Sequence, residues 1–521
     1  MDANVTELWQ IVESMQVEID NMGTDMDSLW LMVGAILVVF MQAGFAMLEV
    51  GSVSAKHTKN LLIKNLLDLA VAAIMWWTVG WGIAFGTKNE SGFNQFVGTG
   101  AFFGRGEEFD DEAGNYGTAE GYSWALWLFQ WSFSGAAVTI VSGAVGERIQ
   151  MSGYFVFSQV MSGFIYPVVV RWGWNANGWA SAWSNTRDNL LFGCGAIDFA
   201  GSGVAHVTGG IAALVLVILI GPRIGRYSEK GVSRKMERQS VVMQACTTLG
   251  VFILWVGWYG FNGCSTLYIT GSSHVAAKAM VCTTISAAAA GLGVTSAGLI
   301  LFHHTGPDQV INGILSGLVA ITAGCAVVEV EGAFLIGLIA AINYLACSRL
   351  LELVHIDDMV DASPVHLANG IWGVIAAGLF ATKEGYSASY YAERSHLCCG
   401  FLYGCGTAQL KANFALVFAI LGWSGLMSFL VGYSIKFLGI LRISKTTELQ
   451  GTDSVTHGGL ELPEFAKNML SRIEELAAKA GYNEDDRTTT SNVPHGQHLG
   501  ISRLPSKISR WSQNASSYVE K

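Results

Sequence analysis

Apolar residues run along this chain in blocks about as long as a bilayer is thick, separated by short polar stretches. A helix needs roughly 20 apolar residues to cross a membrane. Runs of that order occupy 28–50, 65–86, 122–145, 152–170, 197–221, 240–262, 274–302, 310–326, 330–350, 366–382 and 413–441. The pattern predicts an all-α polytopic membrane protein with eleven transmembrane helices. It divides into an extracellular N-terminal segment (1–27), a transmembrane domain (28–441) and a cytosolic tail (442–521). In the tail, Phe465, Met469, Ile473, Leu476 and Ala480 recur at helical spacing after Pro463 and predict a short amphipathic helix. The Ser-, Thr- and Asn-rich end beyond it lacks the apolar content to pack.

Two histidines interrupt these blocks in the same setting: Asp198-x7-His206-x3-Gly210 and Asp358-x7-His366-x3-Gly370. An ionisable residue inside a membrane helix costs roughly 2.5 to 3.5 kcal/mol or more, so it usually faces a pathway or a partner. The motifs fall on the fifth and tenth spans, so each closes a block of five. Five is odd, and the two blocks then have opposite orientations: two inverted five-helix repeats plus a final helix. Such repeats place a substrate path at their interface near the bilayer midplane. Two neutral imidazoles facing each other can share one proton and offer hydrogen bonds to a small polar molecule. The competing reading is two separate structural histidines. Asp198, two turns before His206, either favours a cation at a pore entrance or caps the following turns. Asp358, beside Asp357 and Asp361, reads as capping or solvated.

Composition agrees with membrane residence: 51% of residues are hydrophobic and only 13% charged, too few for the surface of a soluble protein of this length. The 62 glycines lie mostly in the spans, where small side chains let helix backbones approach closely. Basic residues mark cytoplasmic loops. Lys56, Lys59 and Lys64 in the 51–64 loop, and Arg223, Arg226, Lys230, Arg234, Lys235 and Arg238 in the 221–240 loop, are the basic groups. Alternation puts the N-terminus outside with the acidic 88–121 loop and the C-terminus inside. The sequons at Asn4 and Asn89 fit that topology. The acidic start lacks the basic residues of a cleavable signal peptide, so the first span is expected to be retained. Cys194, Cys398, Cys399 and Cys405 fall in outer loops, where disulfides can form; spacing does not give their pairing.

Aromatic residues gather at outer span ends: Phe129, Trp131 and Phe133, Trp172 and Trp174, and the run Trp258-Tyr259-Gly260-Phe261. Interfacial belts explain such clusters, and so does a cation site, since an aromatic face holds a small cation at about 0.5 to 2 kcal/mol. Spacing leaves both open. His303, His304 and His355 come with no zinc-binding motif, so no metal or cofactor is expected, and neither is an enzyme nor a nucleic-acid partner.

Several segments together resemble the ammonium transporter family of Amt, Mep and Rh proteins. They are Asp198-Phe-Ala-Gly-Ser-Gly-Val-Ala-His206 with Gly209-Gly210, Gly221-Pro-Arg-Ile-Gly-Arg226, Phe129-Gln130 through Phe133 to Gly146-Glu147-Arg148, Gly257-Trp-Tyr-Gly-Phe-Asn262, Pro364-Val-His366 and Asn369-Gly-Ile-Trp-Gly373. The resemblance covers about residues 28 to 459, nearer the Amt branch. It implies a plasma-membrane homotrimer with one pore per subunit, carrying ammonium or ammonia. It further implies pore-lining His206 and His366, an outer gate of Phe133 and Phe261, and an outer ammonium site of Phe133, Ser265 and Trp174, with Trp172 as the alternative tryptophan and Asp198 in support. The tail keeps Gly451, Asp453 and His457-Gly458-Gly459 of a family signature and could meet a cytosolic regulator. Plant relatives carry a regulatory threonine where this chain has Val455, so Thr447, Thr456 or Thr488 would have to substitute. The alternatives are an ammonium sensor or transceptor, an Rh-like ammonia or carbon dioxide channel, and, weakest, an intramembrane metal enzyme.

Overall fold

The computed structural model describes residues 2–86, 94–106, 109, 118–184, 190–227, 241–458 and 472. Asn89, the acidic residues 107–108 and 110–112, the basic residues 230–238, the tail helix proposed at 465–480 apart from Arg472, and Thr488 lie outside the described residues. Among those described, helix is the regular structure, with two isolated β-bridges beside it. Among the described residues ten helices are long and apolar enough to cross a membrane. They are α1 (Asp2–Ser52), α2 (Ala55–Ala84), α3 (Gly121–Ala144), α4 (Met151–Gly173), α5 (Ser202–Ile220), α6 (Val241–Thr266), α7 (Ser273–Leu301), α9 (Val330–Leu353), α10 (Ser363–Phe380) and α11 (Ala408–Phe437). The apolar run at 310–326 forms α8 (Pro307–Ile321), a helix of only 15 residues, short of the length a bilayer demands.

Two boundaries differ from the apolar runs. Helix α1 begins at Asp2, not near residue 28, because Glu, Gln, Met and Leu are good helix formers whether or not their surroundings are apolar. Helix α2 begins inside the 51–64 stretch, so Lys64 is a fully buried helix residue and not a loop charge. It lies with buried Glu49 and Asp68 between α1, α2, α3 and α4. Glu49 accepts from Asn65 Nδ2 at 2.9 Å and Ser142 Oγ at 3.1 Å, Asp68 accepts from Tyr154 Oη at 2.8 Å, and the Lys64 ammonium stands 5.3 Å from the Tyr154 ring centre. Opposite charges collected in one place reduce the cost of burying each.

Glycines set the closest crossings. A Cβ on Gly44 of α1 would lie 2.9 Å from the Gly250 carbonyl oxygen of α6, and one on Gly250 would lie 2.6 Å from that of Gly44. Side chains there would force the two backbones apart.

At the end of the bundle from which α1 projects, disulfide Cys194–Cys398 joins the segment before α5 to the segment between α10 and α11, and Cys399–Cys405 closes a short loop within the latter. The opposite end is held by charge. Arg223 pairs with Asp357 at 2.8 Å and Glu147 at 3.0 Å. Fully buried Arg148 donates to the Gly221 and Asp357 carbonyl oxygens. Burial alone would raise the Asp357 carboxyl, but the hydrogen bonds and charge of Arg223 outweigh it and hold the group well below the usual range. Glu147 is lowered in the same way, with the Ser54 N–H adding to Arg223.

Candidate functional site

The repeated motif resolves into three structural duties, performed twice. The aspartates cap. Asp198 Oδ2 accepts from the N–H groups of Gly203 at 3.0 Å and Val204 at 2.8 Å, in the first turn of α5. Asp358 accepts from Ala362 at 3.0 Å and Ser363 at 2.7 Å, at the start of α10. Each satisfies amides that have no intrahelical partner. Both helices then open with a π-turn containing the histidine, Ser202–Val207 and Ser363–Ala368, an irregularity frequent at functional sites.

The glycines set the crossing of the two helices. A Cβ on Gly210 would strike the Leu367 backbone, and one on Gly370 would stand 3.1 Å from the Val207 nitrogen. Each glycine, four residues after its own histidine, thus meets the residue following the other. That reciprocity brings the histidines together.

His206 Nδ1 and His366 Nδ1 lie 3.1 Å apart, with ring centres 5.2 Å apart and ring planes 24° from parallel. Both rings are buried. One Nδ1 must donate and the other accept, so in a neutral pair one Nε2 carries a proton and the other does not. His206 Nε2 has no protein partner. The pair can therefore present one donor and one acceptor to a small molecule beside it.

An aromatic column leads to the pair. Trp174 meets Phe133 edge-on at 5.4 Å, Phe133 packs on Phe261 at 4.2 Å, and Phe261 stacks on His206 at 5.4 Å. Beyond His366, Phe45 of α1 lies 6.4 Å away. Phe133 and Phe261 are 1% and 0% exposed, so their rings close the column. Above them is a cavity of about 50 Å³ whose lining includes Phe129, Phe133, Trp174 and Ser265. That volume admits a species the size of water and excludes a metabolite. Ser265 Oγ donates to the Phe261 carbonyl oxygen at 2.7 Å, which leaves its lone pairs free to accept.

Of the two candidate tryptophans, Trp174 lines this cavity. Trp172 donates to the Phe96 carbonyl oxygen and packs on Trp179 and Trp423 instead. The Trp174 indole donates to the Asp198 carbonyl oxygen at 2.8 Å. Gly201, at φ +101°, turns the chain between Asp198 and helix α5, and a Cβ there would stand 2.6 Å from the Trp174 ring. Asp198 thus bears on the cavity only by anchoring Trp174 with its backbone carbonyl, while its carboxylate is occupied with the cap.

Three features escaped the sequence reading. Trp258 stacks on His206 at 5.3 Å and donates its indole N–H to Thr322 at 3.0 Å; it stood in an aromatic run that an interfacial belt also explains. Phe45 gave no signal, being one apolar residue among many. The buried Glu49–Lys64–Asp68 group was legible only as charges near span ends. Among the described residues no group of three or more His, Cys, Asp or Glu could hold a metal ion.

The tail segment 445–457 packs against the start of α2. Asp453 accepts from the N–H groups of Lys59 at 2.8 Å and Asn60 at 3.0 Å, and His57 Nδ1 lies 2.9 Å from the Thr452 hydroxyl. Gly451, at φ +98°, leaves no room for a Cβ against Lys56. Val455 is exposed on the short helix Thr452–Thr456.

Fold and site together define a multi-pass membrane protein with a buried histidine pair at the end of an aromatic column. Sequence and structure comparisons give this class its family. A model of the Ammonium Transporter Family matches residues 29–461, and the chain belongs to that family. It is 38% identical over 419 residues to ammonium transporter 1 member 2 of Arabidopsis thaliana, covering 78% of each chain. It is 37% identical to ammonium transporter 3 of Dictyostelium discoideum, covering 83% of this chain and 93% of that one. Among solved structures it is similar to a sensor Amt protein (TM-score 0.73, 29% identity, 84% of this chain and 99% of that one). It is also similar to Candida albicans Mep2 (TM-score 0.68, 25% identity, 81% and 87%).

Proposed function

We propose that this chain is a plasma-membrane ammonium transporter that recruits ammonium at an outer aromatic site and passes ammonia through a pore lined by His206 and His366. In this reading the cavity above Phe133 faces outside with the N-terminus, the tail is cytosolic, the repeats are inverted, and three copies assemble with one pore each. The observation that carries the mechanism is the Nδ1-to-Nδ1 contact at the end of the aromatic column.

Selectivity is the physical problem, because potassium resembles ammonium in size and charge. Trp174 and Phe133 offer ring faces to a cation, and Ser265 offers an oxygen that ammonium's N–H can donate to. Past the Phe133–Phe261 gate the walls are apolar, and a bare ion loses its hydration without replacement. Ammonium can release a proton and continue as ammonia; potassium has no such route. Ammonia both donates and accepts hydrogen bonds, which matches the donor and acceptor of a neutral histidine pair. Asp198 supports the entrance by holding Trp174 through its carbonyl and the helix start through its carboxylate. The released proton either follows by way of the pair, making transport electrogenic, or stays behind, making it electroneutral; current recorded alongside flux distinguishes the two.

Reconstituted protein in liposomes tests this with ammonium, methylammonium and potassium in parallel. Replacing both histidines with leucine should abolish ammonium selectivity or flux; unchanged flux and selectivity would overturn the histidine role. The docked segment 445–457 favours a second duty, an ammonium sensor reporting through the tail. Asp453→Ala should release that segment to protease while ammonium still binds outside.

A further inference from the structure

The N-terminal half of α1 leaves the bundle. Asp27 Oδ1 accepts from the N–H groups of Ile269 and Thr270, both at 2.8 Å, and the Thr270 hydroxyl donates to the Gly23 carbonyl oxygen. Beyond this clamp the helix continues unaccompanied through Val5–Met22, about 26 Å at 1.5 Å per residue. Along it, apolar residues fall at Val5, Leu8, Val12, Met15, Ile19, Met22, Met26 and Leu29, an unbroken alternation of three- and four-residue steps. All eight are between 48% and 61% exposed.

A straight α-helix has 3.6 residues per turn, so a stripe spaced at 3.5 stays aligned only when the helix winds around a partner helix. A helix that faces lipid or packs singly on a globule has no reason to keep that period over four heptads. Polar residues occupy most of the other positions, with Thr6, Glu7, Gln10, Glu13, Ser14, Asp20 and Asn21 on the far face. The stripe also continues in phase into the membrane part of α1, where Val33, Ile36 and Phe40 are exposed.

We propose that residues 5–29 form a parallel coiled coil with the same helix of other copies of this chain, a stalk that ties the oligomer together above the membrane. The proposal rests on the homo-oligomer reading above. Copies inserted in one membrane share an orientation, which makes their α1 helices parallel. Charge agrees. In a parallel pairing the flanking acids Glu18 and Asp25 face the Gly23 and Trp30 positions of the neighbour, whereas an antiparallel one would set acid against acid. Val5, Val12 and Ile19 alternate with Leu8, Met15 and Met22 in the way such seams pack. The stripe also widens through Trp9 and Ile11, which fits more than two helices. A membrane surface is the poorer partner: no lysine or arginine precedes Lys56, and interfacial helices bind anionic lipid through basic residues.

Cysteine cross-linking of the full-length protein in membranes tests the stalk. Under mild oxidation Ile19→Cys should yield a disulfide-linked dimer on a non-reducing gel, and Gln10→Cys on the far face should not. A double Val12→Glu/Ile19→Glu variant should lower the temperature at which the oligomer dissociates in detergent. Native mass measurement of the unsubstituted protein separates the two readings. A monomer overturns the oligomer and the stalk together. An intact oligomer with no Ile19→Cys cross-link, with equal linking at both positions, or with unchanged dissociation of the double variant overturns the stalk alone.

Discussion

His206 and His366 approach through their Nδ1 atoms at 3.1 Å, so one hydrogen bond fixes the tautomers of both rings and leaves the Nε2 atoms for whatever passes. Removing one ring leaves the other's buried Nδ1 unpaired, at a cost of about 1 to 3 kcal/mol. His366→Leu should therefore lower the melting temperature in detergent and reduce ammonium flux into liposomes, less severely than the double leucine variant. His366→Glu, which restores an acceptor opposite His206, should recover part of it.

Gly210 is the contact that lets the histidines meet. Gly210→Ala places a Cβ against the Leu367 backbone, and overpacking of this kind costs about 1 to 3 kcal/mol. Thermal unfolding in detergent should show that loss. Gly422→Ala, with nothing within 4 Å of the added atom, should be neutral or mildly stabilising.

For Asp198, cap and charge can be told apart. Asp198→Ala removes the acceptor for the Gly203 and Val204 amides and should destabilise by about 0.5 to 2 kcal/mol. Asp198→Asn keeps an acceptor oxygen there and should retain most of the stability. Flux of the asparagine variant close to the unsubstituted level would assign the residue's contribution to positioning; a large loss at full stability would assign it to charge.

Acid should loosen the end opposite the cavity. Asp357 and Glu147 are held below the ordinary carboxylate range. Their contribution is complete above the unfolded value near 4 and is lost as pH falls through the folded values. Asp361 works the other way: burial, with neighbouring Asp358, pushes it up to about 6. Its protonation favours the fold between about pH 6 and 4. Melting temperature against pH should hold or rise slightly down to about pH 5 and fall below about 4. Arg223→Gln breaks the buried pair, should cost about 3 to 5 kcal/mol at neutral pH, and should make the acid fall shallower.

Run length and apolarity made the membrane helices legible, because a bilayer imposes one length on everything that crosses it. They failed at the start of α1, where polar helix formers extend the helix to Asp2, and at Lys64, counted with the loop charges but buried beside Glu49 and Asp68. The His206 and His366 motifs were legible because a polar residue in an apolar run stands out. Trp258 and Phe45 were not, since aromatic and aliphatic residues are ordinary in such runs.

The sequence by itself determined the membrane class, the family and the repeated Asp-x7-His-x3-Gly pattern, all of which depend on residue type and spacing along one chain. Only the tertiary structure decided what that pattern does. Both aspartates cap because each carboxylate lies against its own helix's free amides. Trp174 and not Trp172 faces the cavity because its indole is anchored on the Asp198 carbonyl oxygen, while that of Trp172 is bonded to Phe96. His206 and His366 share a hydrogen bond because Gly210 and Gly370 let their helices cross within side-chain reach. Contacts between residues 160 positions apart follow from how backbones pack, which no local spacing encodes.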